Sequence, residues 1–173
     1  MADFNISVER TLVYEGVFSN DPDDHGGKTK YGITEATLKE AQKHLFIKIE
    51  RRIEDLTIEE AKTIYKFLYW NKIKGALIDH QCVADELFDS AINCGVYNSI
   101  KFLQQALQYL NEPVIDDGVM GLQTLNYTNK WCKKDPEALF KAMNGEQYIY
   151  YKAIKQKKYK WGWLKRIQAF IRK

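Results

Sequence analysis

Apolar residues recur at three- and four-residue spacing along nearly the whole of this 173-residue chain, and only 3 prolines and 10 glycines interrupt them. That spacing gives each helical turn one dry and one wet face, whereas a half-buried strand would alternate every second residue, so the sequence predicts a mainly helical protein. With 45% hydrophobic residues the chain can bury a core without disulfide or metal staples. A disordered chain is excluded. No apolar run approaches the roughly 18 residues that cross a bilayer, and "MADFNISVER" lacks the basic-then-apolar order of a signal peptide. The expectation is a protein made in the cytoplasm, without stable membrane insertion.

Cys82, Cys94 and Cys132 are odd in number and widely spaced, and the three histidines form no H-x-x-x-H pair. Buried thiols are therefore expected, with no metal and no cofactor. The net charge of +3 hides an asymmetry. Residues 151–173 hold nine Lys or Arg and no acid, which leaves 17 basic against 23 acidic groups in residues 1–150. Such a tail suits a polyanion or a solvated helix face. Nucleic acid is not the expected partner, because no reading motif is present and packing accounts for Tyr159, Trp161 and Trp163.

Local signals divide the chain into elements. A first helix is predicted from about Asp3 to Tyr14, with Phe4, Val8 and Leu12 on one stripe and Gly16 at its end. Thr34 caps a second helix reaching about Leu45, with Glu35 at the positive end of the helix dipole. "TIEE", Thr57 to Glu60, is a capping box opening a third helix through about Tyr69. "QCVADELFDSAIN" has the widest apolar face, through Val83, Leu87, Phe88, Ala91 and Ile92, and reads as the central core helix, ended by Gly95. "SIKFLQQALQYL" and "LQTLNYTNKW" flank a turn-rich break, and Asp135-Pro136 caps a long helix towards Tyr151.

Against this helical background stands one loop, "YEGVFSNDPDDHGGKTKYGIT". Glu15 lies at a predicted helix end, nine residues before Asp24 and fourteen before Thr29, and Gly26, Gly27 and Gly32 permit backbone shapes closed to other residues. A carboxyl screened by apolar neighbours keeps its proton near neutrality and can serve as an acid. Glycoside hydrolysis needs such an acid and a second group to activate water or attack the sugar. Asp24 can be that group, and the Thr29 hydroxyl can hold the water. Asp21 and Asp23 are more simply turn residues. A calcium loop is excluded because His25 and Gly32 stand at the fifth and twelfth positions, where oxygen ligands are needed.

These residues resemble a known signature. The pattern E-G-G-Y/F followed by N-D-P-x-D-P-G-G-x-T-x-x-G-I belongs to glycoside hydrolase family 108, the bacterial and phage N-acetylmuramidases. Here it stands as Glu15, Gly16, Phe18, Asn20, Asp21, Pro22, Asp24, Gly26, Gly27, Thr29, Gly32 and Ile33. Downstream, "FDSAINCG", "LQQALQ", "DDGVMGLQTL" and "GWLKR" resemble the family's companion peptidoglycan-binding region, so the likeness spans about residues 8–170. Val17 replaces the second glycine of the pattern and His25 its second proline.

The resemblance implies a lysozyme-like, two-lobed helical fold with a glycan cleft between lobes 1–95 and 96–173, packed as one unit. It implies that Glu15 is the catalytic acid and that the β-1,4 bond between N-acetylmuramic acid and N-acetylglucosamine is cleaved. The set Glu15, Asp24 and Thr29 is also similar to the Glu-Asp-Thr set of inverting phage lysozymes, with Thr29 one residue nearer. Tyr69, Trp70 and Asn71 fall where the third helix ends, and an aromatic beside an amide can stack on a sugar and bond its acetamido group. Trp70 fits core packing as well. Tyr31 and Asn93 are further wall candidates, although Tyr31 can equally brace the loop and Asn93 cap its helix. "KWGWLKRI" reads as a C-terminal lid or brace.

Two other functions fit the same residues. A lytic transglycosylase also uses one glutamate but leaves 1,6-anhydro ends, and a non-catalytic wall-binding or secretion-assisting protein would keep the groove. The expected partner is the glycan strand of peptidoglycan, reached by a monomer released through a holin or a secretion system.

Overall fold

The computed structural model describes residues 1–15, 18–19, 28–44, 49, 51–154, 160–165 and 167, the side chains of residues 13–15 and 18–19 excepted. Its contacts divide the chain into two compact units, Phe4–Leu68 and Met1–Asp3 with Tyr69–Lys173. This division falls after Leu68, whereas the sequence suggested a lobe boundary near Gly95.

The smaller unit, Phe4–Leu68, opens with helix α1, Phe4–Glu15. Val8 is fully buried on it, together with Ser7 and Thr11, while Phe4 and Leu12 are half-buried. Three two-residue strands follow, β1 (Phe18–Ser19), β2 (Thr29–Lys30) and β3 (Ile33–Thr34), antiparallel in the order β1-β2-β3. Helix α2, Glu35–His44, starts where Thr34 Oγ1 accepts the Thr37 N–H at 3.1 Å, and it buries Leu38 and Ala41. Helix α3, Ile58–Tyr65, opens on the capping box: Thr57 accepts from the Glu60 N–H, and the Glu60 carboxylate accepts from the Thr57 N–H at 2.9 Å. Its α-helical part ends at Tyr65, earlier than the spacing predicts, and continues as a π-helical turn, Lys66–Trp70.

In the larger unit, helix α4, Gln81–Cys94, is the core element expected. Every residue from Cys82 to Ala91 is buried. It packs on α5, Val96–Tyr109, and on α7, Pro136–Ala153, while α6, Leu122–Lys134, packs on α5 and α7. Gly95 adopts φ +85° between α4 and α5, a left-handed value that ends one helix and lets the next begin at once. Asp135 caps α7 through the Ala138 N–H, with Pro136 at the first helical position. Helix α8, Lys160–Lys165, is braced where the Trp163 ring stacks on Tyr151 at 5.7 Å and 15°. The first three residues join this unit: the Ala2 N–H donates to the Ile78 carbonyl at 2.7 Å, and Asp3 exchanges two hydrogen bonds with the Gln81 side chain.

Candidate active site

The site builds from the end of α1. Glu15 is its last residue, and β1 begins three residues later. Thr29 lies in the middle strand, its Cα opposite Ser19 on one side and Thr34 on the other. Glu15 precedes Ser19 by four residues, so chain reach plus one strand pairing keeps its Cα within about 20 Å of Thr29. Asp24 is the midpoint of the 20–28 connection between the paired residues Ser19 and Thr29. Asp24 and the Glu15 side chain lie outside what the structure describes.

The strands carrying Thr29 are pinned by local chemistry. Tyr31 and Gly32 have φ values of 52° and 75°, the pair of left-handed residues that a tight two-residue hairpin requires. Tyrosine adopts this conformation at a cost, and the Tyr65 hydroxyl fixes it by donating to the Tyr31 carbonyl at 2.9 Å. Lys30 Nζ donates to the Glu54 carbonyl, and Lys28 pairs with the Glu54 carboxylate in the 3-10 turn Ile53–Asp55. That hydrogen bond raises the Lys28 pKa and lowers that of Glu54. One glutamate thus ties both ends of β2 to the following turn.

The candidate wall residues have different fates. Tyr31 is half-buried with Lys30 Nζ 5.6 Å from its ring centre, so it serves at least as the hairpin brace. Tyr69 is half-buried and Asn71 exposed. Trp70 requires a correction: it is 1% exposed and meets Phe88 edge-on at 5.5 Å, which leaves no ring face for a sugar. A Cβ on Gly75 would stand 2.5 Å from the Trp70 ring, so that glycine makes room for the indole. Asn93 is exposed, but its amide donates to the Asp89 carbonyl at 2.8 Å and the Asp89 carboxylate at 3.0 Å within α4.

Comparison with known proteins settles the family. The family model Glycosyl hydrolase 108 matches residues 8–95, the segment containing α1 from Val8 onward, the three strands, α2, α3 and α4. The chain belongs to glycosyl hydrolase family 108. A second model, Predicted Peptidoglycan domain, matches residues 98–168, so this family 108 chain is a glycoside hydrolase acting on peptidoglycan. The solved structure of Brucella abortus SagA is similar at 28% identity and a TM-score of 0.80, with 95% of this chain and 88% of that chain covered. No curated protein matches. The mainly helical, lysozyme-like fold expected for family 108 is the fold observed. Among the described residues no helix is long and apolar enough to cross a membrane, and no group of His, Cys, Asp and Glu is arranged to hold a metal ion.

Sequence reasoning missed three polar residues that organise this family 108 chain. Glu54 carries no motif, and only its later proximity to two lysines reveals the clamp. Gln104 is buried and arranges the turn before α6, donating to Asp117 Oδ1 at 2.8 Å and accepting the Gly118 N–H at 2.8 Å. Its signal was available: a glutamine on the apolar side of a periodic helix needs a partner. Glu86 is fully buried on α4. Ser90 Oγ donates to its Oε1 at 3.3 Å, and its Oε2 has no hydrogen-bond partner among the described residues.

Proposed function

We propose that the protein is an N-acetylmuramidase that hydrolyses the β-1,4 bond between N-acetylmuramic acid and N-acetylglucosamine, with Glu15 as the general acid. The observation that carries this reading is the position of Glu15 as the terminal residue of α1, three residues before the strands that hold Thr29, in the segment matching family 108. Glu15 gives its proton to the glycosidic oxygen as that bond breaks. A water adds to the muramic anomeric carbon, surrendering its proton to Asp24 with Thr29 orienting it, and the product has a free reducing end. The pinned hairpin supports this assignment, since a water-holding hydroxyl must be fixed to be useful. Tyr31, Tyr69 and Asn71 remain the proposed contacts to the glycan. The protein acts as a monomer on wall reached through a holin or a secretion system.

The test is mass spectrometry of fragments released from purified peptidoglycan, with Glu15→Gln as control. Reducible muramic ends from the wild type and a loss on the order of a hundred- to ten-thousand-fold in the variant are expected. Anhydro ends would make the protein a lytic transglycosylase. Near-normal cleavage by Glu15→Gln would remove Glu15 as the acid, and no fragments from either protein would leave a wall-binding protein. Asp24→Asn is expected to lose most activity as well.

A further inference from the structure

A second surface of the larger unit has the chemistry of a ligand site. Between the end of α7 and α8 lies a cavity of about 260 Å³, walled by Tyr148, Tyr151, Trp163 and Leu164 and rimmed by Lys152 and Lys160. The volume is below the range of about 300–1,000 Å³ usual for drug-sized ligands, and suits one ring better than an extended oligosaccharide. Its floor is fixed. Tyr151 is 7% exposed, it is held by the stacked Trp163 ring, and its hydroxyl accepts from the Cys94 thiol at 3.7 Å. Its mouth is open, with Tyr148 44% exposed and both lysines exposed.

Among the described residues the charge at the mouth is not matched by an ion pair. Neither Lys152 nor Lys160 forms an ion pair among the described residues, and residues 151–173 contain no acid at all. Each ammonium instead lies against a ring, Lys152 Nζ at 5.7 Å from Tyr148 and Lys160 Nζ at 5.1 Å from Trp161. The exposed Tyr148 ring at the mouth suits the apolar face of a pyranose, and two ammonium groups with no ion pair among the described residues recognise carboxylate. Peptidoglycan joins the two in a hexosamine ring whose attached stem peptide carries free carboxylates.

We propose that the α7–α8 cavity is an accessory wall-binding site that holds one N-acetylhexosamine unit of peptidoglycan by stacking and a carboxylate of its attached stem peptide by Lys152 and Lys160. The proposal rests on peptidoglycan being the substrate, and it adds a second contact that keeps the enzyme on an insoluble polymer between cleavages.

The test uses the full chain carrying Glu15→Gln, so that the wall is not consumed, and measures its binding to purified sacculi. The added pair Lys152→Glu and Lys160→Glu, and separately Tyr148→Ala, are each expected to weaken binding on the order of tenfold. In the chain retaining Glu15, kcat on a short soluble glycan is expected to stay unchanged. Sacculi whose carboxyl groups have been amidated should bind the parent as weakly as intact sacculi bind the lysine variant. Melting curves check that the variants are folded, and the two exposed lysines serve if Tyr148→Ala is not. Equal binding by parent and variants overturns the proposal. So does equal, lysine-dependent binding of duplex DNA, which would reveal a general cation patch. Cleavage by a wild type whose Glu15→Gln form does not bind sacculi would overturn this site while leaving the hydrolase intact. Pocket-dependent binding with no fragments from the wild type would spare the site and remove the hydrolase.

Discussion

Glu86 is the carboxyl least accessible to water on α4, and its protonation follows from that. Burial first, then the charges of Asp89 and Asp85, raise its pKa from the ordinary 4.5 to about 8, against a smaller opposing effect of the Ser90 hydrogen bond. At neutral pH it is a neutral acid. Because the folded pKa lies above the unfolded one, the folded chain holds a proton that the unfolded chain releases between these values. Stability from this group is therefore full below about pH 4.5 and is lost as pH rises to about 8. Glu86→Gln keeps the shape and removes the titration. Denaturant melts should show the variant matching the wild type near pH 4.5 and exceeding it at pH 8 by on the order of 4 kcal/mol, from about 1.4 kcal/mol per tenfold change in proton affinity. A gap that does not grow with pH would place the proton elsewhere. At the same scale, Gly75→Ala drives a methyl into the Trp70 indole, and a loss of about 1–3 kcal/mol is expected in thermal melts.

At the scale of elements, those with a local cause were legible in the sequence. The Thr57 and Glu60 box, the Asp135-Pro136 cap and the apolar face of α4 each act within a few residues, so spacing alone placed them. Thr57→Ala should lower stability by about 1 kcal/mol and speed amide exchange in the first turn of α3, because it uncovers the Glu60 N–H. The three short strands were not legible. Two-residue strands carry no alternation to read, and they exist because a left-handed Tyr31–Gly32 turn and a lysine clamp on Glu54 hold them together. Nor was the π-helical turn at Lys66–Trp70. Its aromatic run looked like a surface for a ligand, and long-range packing on Phe88 turned Trp70 inward. For the candidate site, the sequence pointed to Glu15 and Thr29 through a motif and they stand as proposals, whereas the pins of the hairpin come from residues distant in the chain.

At the scale of the molecule, the smaller unit is an insertion in chain terms. The polypeptide leaves the larger unit after Asp3 and rejoins it at Tyr69. Deleting residues 1–3 removes the hydrogen bond to the Ile78 carbonyl and both to Gln81, a loss of about 1.5–4.5 kcal/mol at typical values per bond. Hydrogen exchange should then quicken around residues 78–81 while the amides of α2 and α3 keep their protection. If α2 and α3 loosened equally, the N-terminal staple would not be local to the larger unit. The same staple bears on synthesis. A ribosome makes Ala2 and Asp3 more than seventy residues before Ile78 and Gln81, so these long-range hydrogen bonds close only after the start of α4 has been synthesised.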